Sequence, residues 1–178
     1  MTLTFHANGK IDGISNTNFN SSLPSGHIIQ TVIASAPQGG SSIGISGGSV
    51  TSPTFLHSDA KVTITPQRSN SKILLTWAGQ IRLNPSSVGF IGIFYSANSD
   101  MSSPSVVEKY RGGNINESYR TVDSSHYMFQ SWSRSCVDET ISNTNVRYYN
   151  VGGFTQSGAM EHGDNGVTCT LIAQEIAS

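Results

Sequence analysis

Residues 72–83, KILLTWAGQIRL, constrain this chain more than any other stretch. Ile73, Leu75, Trp77, Ile81 and Leu83 fall on one side of an extended backbone, while Thr76, Gln80 and Arg82 fall on the other. A period of two sustained over that length is the mark of a strand with one buried face. Such a face requires a second layer of structure to cover it, and for a chain without helical periodicity that layer is another sheet.

Further short runs rich in β-branched and aromatic residues fit the same reading. They are 27–36 (HIIQTVIASA), 61–66, 88–96 (VGFIGIFYS), 105–112, 124–134 (SSHYMFQSWSR), 145–151 (NVRYYNV) and 167–177 (VTCTLIAQEIA), with Gly, Pro, Ser and Asn recurring between them. QRSNS at 67–71 and NPSS at 84–87 read as tight polar connections. The predicted fold is all-β, a jelly-roll-like antiparallel β-sandwich over residues 26–178. Its predicted inward face contains Ile73, Leu75, Trp77, Phe90, Phe94, Leu171 and Ala173.

Two of these strands are apolar on both faces. In 88–96, Phe90 and Phe94 point one way and Ile91, Ile93 and Tyr95 the other; in the last strand Thr170, Ile172 and Ile176 oppose Val167, Cys169, Leu171 and Ala173. The second face needs a cover, supplied either by another chain or by loops of the same chain, and both readings stand at this point. At 178 residues the chain suits one domain with a tail. Residues 1–25 form that tail: isolated Phe5, Ile11, Ile14, Phe19 and Leu23 among Gly and Asn cannot build a core, and read as an arm that seats its apolar residues on a neighbour. The Gly/Ser-rich run 37–54 reads as a long loop, mobile or wrapped on a partner.

Only 12% of residues are charged, about half the ~25% of ordinary soluble proteins, and the net charge is −1. The ten Lys and Arg form no basic stripe, so nucleic acid is not an expected partner. The N-terminus has neither the charged nor the apolar region of a secretory signal, and no run approaches a membrane span, so folding in a cytoplasm without membrane insertion is expected. Cys136 and Cys169 are accordingly expected as unpaired core thiols.

Catalytic signals are thin. MEHGDNG gathers Glu161, His162 and Asp164, but its spacing departs from a calcium loop and a polar turn explains it. No nucleophile elbow occurs. Asp100, Glu108, Glu117, Asp123, Asp138 and Glu139 fall in or beside polar loops, as solvated acids do. No catalytic residue, metal ligand or cofactor is therefore expected, and no enzymatic activity. The rival reading, a glycan-degrading spike, needs two of Asp100, Glu108, Asp123, Asp138 and Glu139 within catalytic reach. Aromatic residues collect in the second half, and rings beside Asn and Arg suit neutral sugars. Tyr119 in the loop 111–120, Tyr148 in the loop 138–149 and Trp132 in the strand 124–134 are the candidate glycan contacts.

GKIDGI near the start, LPSGHIIQTV, VTITPQRSNSKILLTWAGQIRL, KYRGG, VRYYNV and the C-terminal LIAQEIA together resemble the small tail fibre or virion fibre structural proteins of tailed bacteriophages, marine and cyanobacterial ones in particular. The resemblance spans nearly the whole chain. It implies a homotrimeric β-sandwich head behind an N-terminal segment, residues 1–25, that attaches to other virion proteins. It also implies a place on the virion, assembled in the host cytoplasm, with a role in host adsorption. The absence of a long fibrous shaft keeps a capsid or tail decoration or connector role as the alternative.

Overall fold

The computed structural model describes residues 4–5, 11–12, 23–36, 43–55, 57, 59–107, 117–120, 125–162 and 169–178. The strands are β1 (Thr4–Phe5), β2 (Ile11–Asp12), β3 (Ile28–Ala36), β4 (Ile43–Ile45), β5 (Thr54–Phe55), β6 (Val62–Ile64), β7 (Lys72–Leu83), β8 (Val88–Ser96), β9 (Ser105–Val106), β10 (Glu117–Arg120), β11 (Met128–Asp138), β12 (Arg147–Ser157), β13 (Met160–His162) and β14 (Cys169–Ile176). Among the described residues there is no helix.

Two six-stranded antiparallel sheets face each other, and β1 and β2 form a separate two-stranded ladder. The first sheet runs β3–β14–β7–β11, with β13 and β4 continuing alongside the far half of β7. The second places β8 and β12 at its centre, β9 and β10 along one edge and β5 and β6 along the other. The pairings nest: β3 with β14, β5 and β6 with β12, β7 with β11, and β8 with β9 and β10. One long antiparallel hairpin is thus folded over on itself, which is the jelly-roll plan.

The alternation in β7 does what its period requires. Ile73, Leu75, Trp77, Ile81 and Leu83 are buried between the sheets with Ile91, Ile93, Tyr149, Val151, Leu171 and Ala173. Each such side chain contributes roughly 1.5–3 kcal/mol of transfer free energy. Phe90 and Phe94 correct the predicted inward face. The pleat sends Ile91 and Ile93 inward, so Phe94 is buried on the outer side with Met101 and Val106, and Phe90, Val50, Phe55, Tyr148 and Phe154 pack around that cluster. Loops of the same chain therefore cover the second apolar face of β8.

Several strand limits also move. The run 61–66 contracts to β6, and the 105–112 run is represented by β9, with 108–112 outside the described residues. Within the predicted loop 37–54, residues 43–45 pair with β13, and Ser49 bridges Ser52. The strand expected to end at 151 continues to Ser157 through Gly152 and Gly153. Those glycines are not breakers but points of close approach: a Cβ at Gly153 would stand 2.7 Å from both Met160 Cε and the Phe90 carbonyl oxygen. Strand β11 begins and ends four residues later than predicted, because its pairing with β7 runs on until Asp138 faces Ile73.

The strand directions define two ends. At one lie the start of β3, the end of β14, the start of β7 and the 139–146 turn, since Ile28, Ile176 and Lys72 follow one another across the sheet. At the other lie the 84–87 corner, the start of β11 and the end of β12, where Met128 faces Leu83 and Ser157 faces Val88.

Candidate functional site

The N-terminal segment joins the sandwich at the first of these ends. Gly26 N–H donates to the Ala177 carbonyl at 2.7 Å, and Ala177 N–H to that of His27 at 2.8 Å. Both terminal nitrogens of Arg68 donate to the Leu23 carbonyl, at 3.4 and 3.3 Å. Of the predicted anchoring residues, Leu23 is half-buried here, Phe5 pairs with Ile11 in the β1–β2 ladder, and Ile14 and Phe19 lie outside the described residues.

Two buried carboxylates organise this end. Glu175 is fully buried in β14 and accepts from Gln67 N–H (2.8 and 3.0 Å), Arg68 N–H (3.1 Å), the Ser71 hydroxyl (2.6 Å) and Gln30 Nε2 (2.6 Å). It thereby holds the 67–71 connection in place. Asp138 corrects the expectation of a solvated loop acid. It is the last residue of β11, 3% exposed, and accepts from Arg147 Nη1 at 2.6 Å, the Tyr149 hydroxyl at 2.7 Å, and the Thr140 amide and hydroxyl at 2.9 and 2.6 Å. The inward pleat position of β11 carries it into the sandwich, where Arg147 of β12 waits. Burial, and then the Asp138 charge, push the Tyr149 phenol far above the ordinary tyrosine range. Burial opposes the Arg147 charge, but the Tyr149 and Asp138 oxygens outweigh it and hold the guanidinium above its ordinary value.

Three other acids have local partners. Glu139 pairs with Lys72 at 2.6 Å, Glu161 with Arg82, and the Ser102 hydroxyl and amide hold Asp100 below the usual carboxylate value. Among the described residues no group of three or more His, Cys, Asp or Glu gathers, and 163–168, with Asp164, lie outside them. Glu108 and Asp123 also lie outside. Cys136 and Cys169 are buried and are not joined in a disulfide. Trp77 Nε1 donates to Cys169 Sγ at 2.8 Å, while burial pushes that thiol up to about 11.

The three candidate glycan residues are dispersed. Tyr148 pairs with Ser96 and Tyr119 with Gly89, at the two ends of β8, roughly 23 Å apart at ~3.3 Å per residue. Trp132 sits on the other sheet, opposite Gly79. Tyr148 is half-buried in the outer cluster with the Lys61 ammonium 5.6 Å from its ring centre. The 138–149 stretch lies at the end where the N-terminal segment enters, not at the end opposite it.

The opposite end carries a hollow of about 500 Å³ on the outer face of the second sheet. Phe90 and Phe154, cross-strand partners stacked at 4.7 Å and 17°, form one side. The turn at 48–50 forms the other, with Thr155 and Gln156 beside it. Gly47 N–H donates to Thr155 Oγ1 at 2.8 Å, and Thr155 N–H donates to the Gly47 carbonyl at 3.0 Å. Gly48, at φ +88°, brings its backbone so near that a Cβ there would stand 3.2 Å from Phe154 Cβ. The sequence reading missed this place, because GISGGSV looks like featureless linker until Thr155 is seen to pin it.

The outer face of the first sheet is different again. Its three central rows are Thr31, Gln174, Leu74, Val137; Ile33, Ile172, Thr76, Ser135; and Ser35, Thr170, Ala78, Ser133. Most of these residues are Ser, Thr or Gln and none is charged, Ile33 and Val137 are 61% and 40% exposed, and the Lys72–Glu139 and Arg82–Glu161 pairs flank the rows at the two ends. Ile28, 54% exposed, extends the apolar part towards the arm end.

No protein-family model matches the chain, and no curated protein matches it. Among solved structures it is similar to Eiger TNF from S. frugiperda, at 11% identity and TM-score 0.35, over 80% of this chain and 91% of that one. It is also similar to chains of infectious bursal disease virus, Gx strain (10% identity, 86% of this chain and 38% of that one, TM-score 0.33) and Gt strain (12%, 86%, 39% and 0.33). The chain thus spans little more than a third of those viral chains. The jelly-roll assignment rests on the strand pairing described above.

Proposed function

We propose that this protein is a structural component of a phage virion: a short surface fibre, homotrimeric, attached to other virion proteins by residues 1–25 and presenting its β-sandwich head for adsorption to the host surface. The sequence resemblance to virion fibre proteins motivates the class. The observation that carries the reading is the middle of the outer face of the first sheet, where three rows carry no charge and Ile33 and Val137 stand exposed between the Lys72–Glu139 and Arg82–Glu161 pairs. Antiparallel sheets commonly expose a polar face to water, and large open apolar patches mark interaction sites. Since the chain covers the outer face of β8 with its own loops, the outer face of β14, with Ile33, Ile172 and Val137, is the one left for neighbouring copies.

The head is read as non-catalytic. Both oxygens of Asp138 are taken by Arg147, Tyr149 and Thr140, and Glu139 is paired with Lys72, so neither supplies a free acid for glycan cleavage. A reconstruction of the particle tests the proposal. It expects a trimer joined through the first sheet, with the Leu23–Gly26 end towards the virion and the 84–87 corner towards solvent. A head docked by its far end, with residues 1–25 in solvent, overturns the anchoring and adsorption roles together, and a monomer buried within the shell supports the decoration alternative.

A further inference from the structure

We propose that the hollow between Phe90, Phe154 and the 48–50 turn binds a neutral saccharide ring. The proposal rests on the adsorption reading above and names its ligand class and its site, which differs from the Tyr119, Trp132 and Tyr148 set.

Size and shape come first. At about 500 Å³ the hollow lies within the ~300–1,000 Å³ of ordinary small-ligand sites. The stacked Phe90 and Phe154 rings supply an apolar wall suited to the C–H face of a pyranose. Ser49 and Gln156 place a hydroxyl and an amide beside it, groups that both donate and accept, as sugar hydroxyls require. No lining residue is charged, so nothing offsets the desolvation of an anionic or cationic ligand there.

Rigidity is the second consideration. The turn is fastened before any ligand arrives: Gly47 and Thr155 exchange two hydrogen bonds, and Ser49 and Ser52 exchange amide-to-carbonyl bonds of 3.3 and 3.1 Å. Preformed walls spare a weak ligand the entropy of ordering them. Position is the third. Phe90 is two residues from the start of β8 and Gln156 one from the end of β12, so the site sits at the end of the head away from the entry of the N-terminal segment.

The test is amide NMR of the full chain titrated with glucose, galactose and N-acetylglucosamine, with glucuronate as the charged control. At least one neutral sugar is expected to shift the amides of Gly48, Ser49, Val50, Thr155 and Gln156, with glucuronate several-fold weaker. Phe154→Leu, which keeps apolar bulk but removes a ring, is expected to weaken binding several-fold. Gln156→Ala, at an exposed side chain, provides the same readout if the first variant fails to fold. Absence of shifts with all three neutral sugars, shifts centred instead on Tyr148, or undiminished binding in both variants overturns the proposal. So does a titration in which N-acetylphenylalanine amide shifts these residues and the sugars do not, which reassigns the hollow to an apolar side chain of a protein partner. Failure here leaves the position of the head on the particle, read by reconstruction, as a separate result.

Discussion

The Ser71 hydroxyl donates to Glu175 Oε1 at 2.6 Å, joining the last residue of the 67–71 connection to the buried end of β14. Every donor around this carboxylate is neutral: two backbone amides, a hydroxyl and an amide side chain. Glu175→Gln replaces one acceptor oxygen by a donor that faces other donors. Since hydrogen bonds to a charged group contribute about 1.5–3 kcal/mol and an unsatisfied buried donor costs a similar amount, a loss of about 2–4 kcal/mol is expected. Urea unfolding measures it, as a lower midpoint at unchanged slope; a loss below ~0.5 kcal/mol contradicts the assignment.

The Asp138 cluster predicts a graded series. Tyr149→Phe removes one hydroxyl donor and leaves the ion pair, for a cost of about 1–2 kcal/mol. Arg147→Met leaves Asp138 buried without its counter-charge, for about 3–5 kcal/mol, and also removes the guanidinium 4.2 Å above the Tyr95 ring. Equal losses in the two variants, measured by thermal unfolding, count against the pair as the dominant interaction.

Much of the sandwich is legible in the sequence because period-two alternation states which face is buried. It states this without saying which of two apolar faces meets the other sheet. Phe90 and Phe94 are larger than Ile91 and Ile93, yet the pleat that places Gly89 against Leu83 and Met160 commits the isoleucines to the interior. Glu175 does not stand out among the acids, because its donors at Gln67, Arg68, Ser71 and Gln30 come from segments far away in sequence. Asp138 was hidden, because its partners Arg147 and Tyr149 lie across a turn and on the other sheet. The hollow depends on Gly47 meeting Thr155, a contact between residues far apart in sequence, and local pattern holds no trace of it.

Cys169 gives a pH-dependent outcome. Burial raises the thiol to about 11, so the native state prefers the neutral form. The unfolded thiol ionises near ~8.5, and the contribution is therefore complete below that pH and is lost as pH rises towards the folded value. Stability is expected to fall between about pH 8.5 and 11 by up to ~2–3 kcal/mol, and Cys169→Ser to remove that part of the decline. In the native protein at pH 8 a disulfide reagent should leave Cys136 and Cys169 unmodified and should titrate both after denaturation. Rapid labelling of the folded chain contradicts the burial of the thiols.

Ile33 offers the cleanest separation of assembly from folding. In a single copy it is 61% exposed, so Ile33→Lys costs the sandwich little, since surface substitutions usually stay within about 0.5 kcal/mol. At an interface between copies the same change buries a charge beside Ile172 and Thr76, with no acid on the three rows to meet it. Sedimentation equilibrium is expected to give a trimer for the native chain and a monomer for Ile33→Lys, with both unfolding at the same urea midpoint once extrapolated to low concentration. Thr63→Lys, exposed on the outer side of the second sheet, is expected to remain trimeric. A native chain that stays monomeric at micromolar concentration removes the trimer, and dissociation by Thr63→Lys but not by Ile33→Lys moves the interface to the second sheet.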